Sequence, residues 1–234
     1  MALPQLSVKY FEVRQPSTGD KLSLRPFLVS EEKILLQASE NPDAMIPAMK
    51  QVLENCIQAQ IDVNKLPAFD IEYIFLQLRS ESIGSQVQLM LQHKEECERT
   101  EVTVNLREIK VVMPKETQNE FMLDKNVGIR MRYPTMEMMG EFADLDETNT
   151  EASFTMLKKC IESIYTSDGE VHEVENVSED ELTAFVESMN TEQFLKVQTF
   201  FETMPSVKHT IKVPKCVTCG QPFQQEVQGI QSFF

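Results

Sequence analysis

The chain has 234 residues, 41% of them hydrophobic and 25% charged, with 7 glycines and 5 cysteines, proportions that suit a globular protein with its own core and exclude wholesale disorder. Its formal net charge of −15 is concentrated in one stretch: Pro134 to Ser206 holds 17 acidic residues against Lys158, Lys159 and Lys196, a surface that repels phosphate backbones and argues against nucleic acid as a partner. No run approaches the roughly 18 apolar residues of a membrane-spanning helix, and the opening residues lack a basic start before an apolar stretch, so an intracellular chain without membrane contact is expected.

The first elements read as a hairpin. Leu6 to Val13 alternates, Pro16-Ser17-Thr18-Gly19-Asp20 has turn chemistry, and Lys21 to Leu28 alternates again. Ser30 is placed to cap a helix running to about Ser39, with Glu31 and Glu32 in its first turn. Asn41-Pro42 opens a second helix, whose positions Met45, Ile46, Met49, Val52, Leu53, Cys56 and Ile57 keep three-and-four spacing and predict one buried face. Cys56 reads there as a small core residue. The dense run Phe69 to Leu78 predicts a third helix, with Ile71, Ile74, Phe75 and Leu78 on one side.

From Ser85 to Tyr133 the period changes to two. Val87, Leu89 and Leu91, then Val102, Val104 and Leu106, then Gly128 to Tyr133 predict strands that join the hairpin in an antiparallel or mixed sheet. Beyond Pro134 the pattern is helical: Ala152 to Tyr165 aligns Phe154, Leu157, Ile161 and Ile164, Ser178 and Glu181 match a capping box, and Asn190 starts a helix stopped at Met204-Pro205. The expected fold is α+β: N-terminal helices with a sheet over 1–133, a small acidic helical domain over 134–206, and a knuckle tail over 207–234.

Catalytic signatures are missing from the sequence. It holds no phosphate-cradling glycine loop, no nucleophile elbow and no paired-histidine zinc motif, and its three histidines are scattered. No catalytic residue is assigned and the chain is expected not to be an enzyme. The sharp motif is Cys216-Val217-Thr218-Cys219-Gly220, in which two thiolates three positions apart can turn toward one metal while the glycine lets the backbone fold tightly. This is half of a structural zinc site. His93 and Cys97 are the first candidates to complete it, His209 the third, and a symmetric partner with the same pair would also supply four ligands. A redox pair and a metal-free turn are the alternatives. The methionines at 131, 136, 138 and 139 suit either a surface that repacks against a partner or core filling. The final Phe233-Phe234 is expected to dock on the chain's own fold or on a neighbour.

Several separated segments resemble one family. Pro4 and the hairpin, Leu24-Arg25-Pro26-Phe27, Glu31 to Leu36, Phe69 to Ser80, Phe200 to Pro205, the Cys216-x-x-Cys219-Gly220 knuckle and the closing aromatics are similar to the baseplate hub subunits of T-even-type contractile-tail bacteriophages. The resemblance implies a late protein of the viral tail, made in the host cytoplasm, that helps to build the hub on which the tube and tape-measure protein assemble. It implies other hub proteins and the tape-measure protein as partners, with self-association an option, and carries no catalytic residues. Two roles remain open: a virion component at the tail baseplate, or a transient assembly chaperone that leaves. A cytosolic regulator with a zinc-ribbon tail ranks last, since only Lys208, Lys212 and Lys215 supply a basic patch.

Overall fold

The computed structural model describes residues 6–41, 44–114, 119–142 and 150–229. It is an α+β chain with seven α-helices among the described residues, small antiparallel sheets, and two compact units: 1–112 with 206–234, and 113–205.

The first unit begins with β1 (Phe11–Arg14) and β2 (Lys21–Leu24), the expected hairpin. Leu24 extends it by bridging Ile57, and the Arg25 N–H donates to the Cys56 carbonyl. α1 (Val29–Ala38) is capped at Leu28, not Ser30: the Leu28 N–H donates to the Glu31 carboxylate, so an acid inside the first turn satisfies the cap residue's own N–H. α2 (Met45–Cys56) starts after Pro42, which lies outside the described residues, and buries Ala48, Met49, Val52, Leu53 and Cys56. α3 (Ala68–Ser82) buries Ile71, Ile74, Phe75, Leu76 and Leu78. Its Phe75 ring meets Phe27 at 5.7 Å, while Ser82 Oγ accepts the Phe27 N–H. The Arg25-Pro26-Phe27 and Arg79-Ser80-Glu81 segments are thus tied into the fold, Glu81 also holding Arg107 at 2.7 Å.

β3 (Gln86–Leu91) and β4 (Thr100–Asn105) form a separate two-stranded hairpin, and β5 (Lys110–Val112) closes this part of the chain. The predicted strands therefore do not share one sheet with the opening hairpin.

The second unit holds β6 (Glu120–Met122), β7 (Val127–Met131), α4 (Met136–Phe142), α5 (Thr150–Cys160), β8 (Ile161–Thr166), β9 (Val171–Glu173), α6 (Glu179–Glu187) and α7 (Thr191–Thr203). Its sheet runs β6-β7-β8-β9, antiparallel throughout. This corrects a purely helical reading of 134–206. The predicted helix to Tyr165 stops at Cys160 because Arg132 takes the terminal carbonyls: its N–H donates to Cys160 O and its Nε to Lys159 O, each at 2.8 Å. Ile161 and Ser163 then bury on one face of a strand paired with β7. The core gathers Leu123, Ile129, Met131, Met138, Leu157, Cys160, Ile161, Leu182, Val186, Val197 and Phe200. Met131, Met136 and Met138 are buried, so these methionines fill the core and do not present a repacking surface. The capping box of α6 at Ser178 forms as expected, and Asn190 starts α7 as expected, with a capping box of its own to Gln193.

The chain returns to the first unit as β10 (Ser206–Val213) and β11 (Phe223–Gln228), in a sheet of order β11-β10-β5. Residues 207–229 therefore form a hairpin of the first unit and not a separate tail; the border between the units lies within one residue of the boundary expected at 206, whereas the other falls at 112/113 and not at 133. Phe233 and Phe234 lie outside the described residues.

Candidate metal centre

Two hairpin turns build the site. The turn between β3 and β4 carries His93 and Cys97, and the Cys97 N–H donates to the Lys94 carbonyl while Gln92 Nε2 donates to the Cys97 carbonyl. The turn between β10 and β11 carries Cys216 and Cys219. There Cys216 N–H donates to Gln221 O at 2.9 Å and Gly220 N–H to Cys216 O at 3.0 Å, a loop that closes through a left-handed residue at Gly220, φ +73. That backbone favours glycine because a Cβ would be strained.

The turns meet through two threonine hydroxyls. Thr218 Oγ1 accepts the Glu98 N–H at 2.9 Å, and Thr100 Oγ1 accepts the Val217 N–H at 3.3 Å. His93 stacks on Phe223, with centroids 4.8 Å apart and planes at 13°. Together these contacts bring one donor atom each from His93, Cys97, Cys216 and Cys219 within 4.8 Å of one another, and His93 Nδ1 lies 3.2 Å from Cys219 Sγ. Cys97 and Cys216 are buried and Cys219 is exposed.

The surroundings divide the thiols electrostatically. The main-chain N–H of Cys219, followed by that of Thr218, points at the Cys216 sulfur and holds its thiol down at about 6 against the cost of burial. Burial, then the neighbouring sulfurs of Cys216 and Cys219, pushes Cys97 up to about 11. A cluster whose Cys216 sulfur already favours the thiolate is an electron-rich pocket that can hold a cation.

The four residues singled out in the sequence are those brought together. His209 stands apart on β10, opposite Val227, and a second copy of the chain is not needed to complete four donors. Spacing did not reveal Thr100, Thr218 or Phe223, because a hydroxyl or a ring carries no positional signature until its partner is known. Beside the site an open groove is lined by Lys212, Val213, Pro214, Pro222, Phe223 and Gln224. Its one ionisable side chain, Lys212, makes no acid and base pair.

The protein-family model described as T4 bacteriophage base plate protein matches residues 8–234, nearly the whole chain. No curated protein and no solved structure matches the chain significantly.

Proposed function

Because the chain belongs to the T4 bacteriophage base plate protein family, we propose that it is a structural or assembly subunit of the baseplate hub that works through contacts with other hub proteins and the tape-measure protein. As a baseplate protein it belongs to the phage tail and meets other baseplate components. The observation that carries the reading is the extent of the match, which spans both compact units and leaves neither as an unrelated module. The hub assignment is finer, and its support is the ordered set of segments from Leu24-Arg25-Pro26-Phe27 to the Cys216 knuckle.

Surface chemistry supports a role in contacts. Val29 and Leu36 on α1 are 81% and 63% exposed, and Leu195 on α7 is half in water; large apolar side chains held out in solvent suit a surface that a neighbour covers. The acidic stretch suits a basic protein surface or solubility, not nucleic acid. The chain is read as non-catalytic, and a metal held by four protein donors would serve the fold, since no coordination position is left for substrate.

Quantitative mass spectrometry of purified tails tests this. Stoichiometric copies are expected in mature particles, with co-purification of hub and tape-measure proteins from infected cells. Presence only in precursor complexes would assign the transient assembly role. Absence from both would defeat the reading.

A further inference from the structure

We propose that His93 Nδ1 and the sulfurs of Cys97, Cys216 and Cys219 bind a single zinc ion in a closed tetrahedral site that fastens the β3–β4 hairpin to the β10–β11 hairpin. The inference goes beyond the hub reading and does not rest on it. Tetrahedral zinc, with bonds of about 2.0–2.3 Å, sets its donors roughly 3.5–3.8 Å apart. The four donor atoms here already lie within 4.8 Å of one another, and one pair at 3.2 Å. Small side-chain rotations therefore complete the site without moving either backbone turn.

The donor set selects the ion. Three thiolates and an imidazole are soft to borderline ligands, which disfavours magnesium, calcium and manganese. An iron–sulfur cluster places a cage of iron and sulfide between its thiolates. Donors gathered this closely leave room for one ion and not for that cage. All four positions come from protein, the signature of a structural centre.

The fold gives the ion a task. β3 and β4 form a sheet of only two strands, and such hairpins are marginal alone. Among the described contacts, the hydrogen bonds at Thr218 and Thr100 join its turn to that of β10–β11. An ion shared by Cys97 and Cys216, far apart in sequence, ties the two turns directly. Loss of the metal would loosen both turns while leaving the fold of the 113–205 unit in place.

The test uses the full, untagged chain expressed in zinc-replete medium. Elemental analysis is expected to give about one zinc per chain. Cobalt exchanged into the protein is expected to show the intense visible bands of tetrahedral cobalt together with thiolate charge transfer. Cys97→Ser and Cys216→Ser should each lose most of the zinc, and His209→Ala should keep it. After chelation, amide exchange should rise across 92–99 and 214–222 and stay unchanged across α6 and α7. Less than about half a zinc per wild-type chain, iron with acid-labile sulfide, octahedral cobalt, or full zinc in both serine variants would overturn the proposal. The wild-type measurements need no variant to fold, and tail composition, which tests the hub reading, is measured separately.

Discussion

Glu31 receives both terminal guanidinium nitrogens of Arg25, each at 3.0 Å, and the oxygen facing Nη1 also accepts the Leu28 N–H at 2.8 Å. The Glu31 side chain is 3% exposed and that of Arg25 15%. One buried carboxylate thereby pins the strand exit to the start of α1. The Arg25 hydrogen bonds outweigh burial and hold the Glu31 carboxyl at about 2, below its ordinary 4.5. A depressed acid contributes stability that is complete above the unfolded value and disappears as pH falls toward the folded one. Glu31→Gln is expected to destabilise by roughly 3 kcal/mol at pH 7. That gap should narrow between about pH 4.5 and 2, read by urea denaturation across a pH series; a constant gap would refute the ion pair's role.

Asp70 works with the opposite sign. Buried on α3, it accepts Gln15 Nε2 at 2.8 Å, the Ser17 N–H at 2.9 Å and the Ser17 hydroxyl, yet burial wins and raises its carboxyl above the ordinary value. Protonation therefore favours the folded state, adding stability as pH falls through the range between the folded and unfolded values. Asp70→Asn should remove this acid-side gain. Asp70→Ala, which strands three donors in the β1–β2 turn, should cost roughly 3 kcal/mol in equilibrium unfolding.

Gly128 on β7 pairs with Tyr165 on β8, and a Cβ at Gly128 would fall on the tyrosine ring. Covering a strand glycine with a cross-strand aromatic restores packing that the missing side chain cannot supply. Gly128→Ala should lower stability by about 2 kcal/mol through overpacking. Adding Tyr165→Ala should recover part of that loss in thermal melts, whereas additive losses would show that the ring is not the obstacle.

Cys56 and Cys160 are fully buried, and loss of hydration pushes their thiols up to about 11 and about 12. Their thiolate fractions at pH 8 fall to about one in a thousand or less. Iodoacetamide is expected to leave both unmodified in the folded chain and to label both in denaturant, as read by peptide mass spectrometry. Labelling of either in the native protein would contradict its place in the core.

Local patterns carried much of the fold. The three-and-four spacing over Met45 to Cys56 and the dense run from Phe69 mark α2 and α3, and Ser178 with Glu181 marks the start of α6, because each signal lies within one or two turns of chain. The reading failed where two periods overlap. Ile161 and Ile164 extend the face of α5 as well as they fit β8, and hydrogen bonds from Arg132, nearly thirty residues earlier, decide that the helix ends. Burial of Met131 and Met138 likewise depends on helices that pack over them, which no local count contains.

The same division governs the candidate metal centre. Cys216 and Cys219 are legible because four residues of one turn suffice to aim two sulfurs at a common point, and the resemblance to baseplate proteins is legible because it is a property of ordered residues. That His93 and Cys97, and not His209, complete the set was decided by tertiary structure. The antiparallel pairing of β10 with β5 returns the end of the chain to the first unit, and Thr100 and Thr218 lock the turns together. Sequence spacing records what a short stretch of backbone can do alone, whereas the meeting of distant turns depends on burial and hydrogen bonding summed over the whole unit.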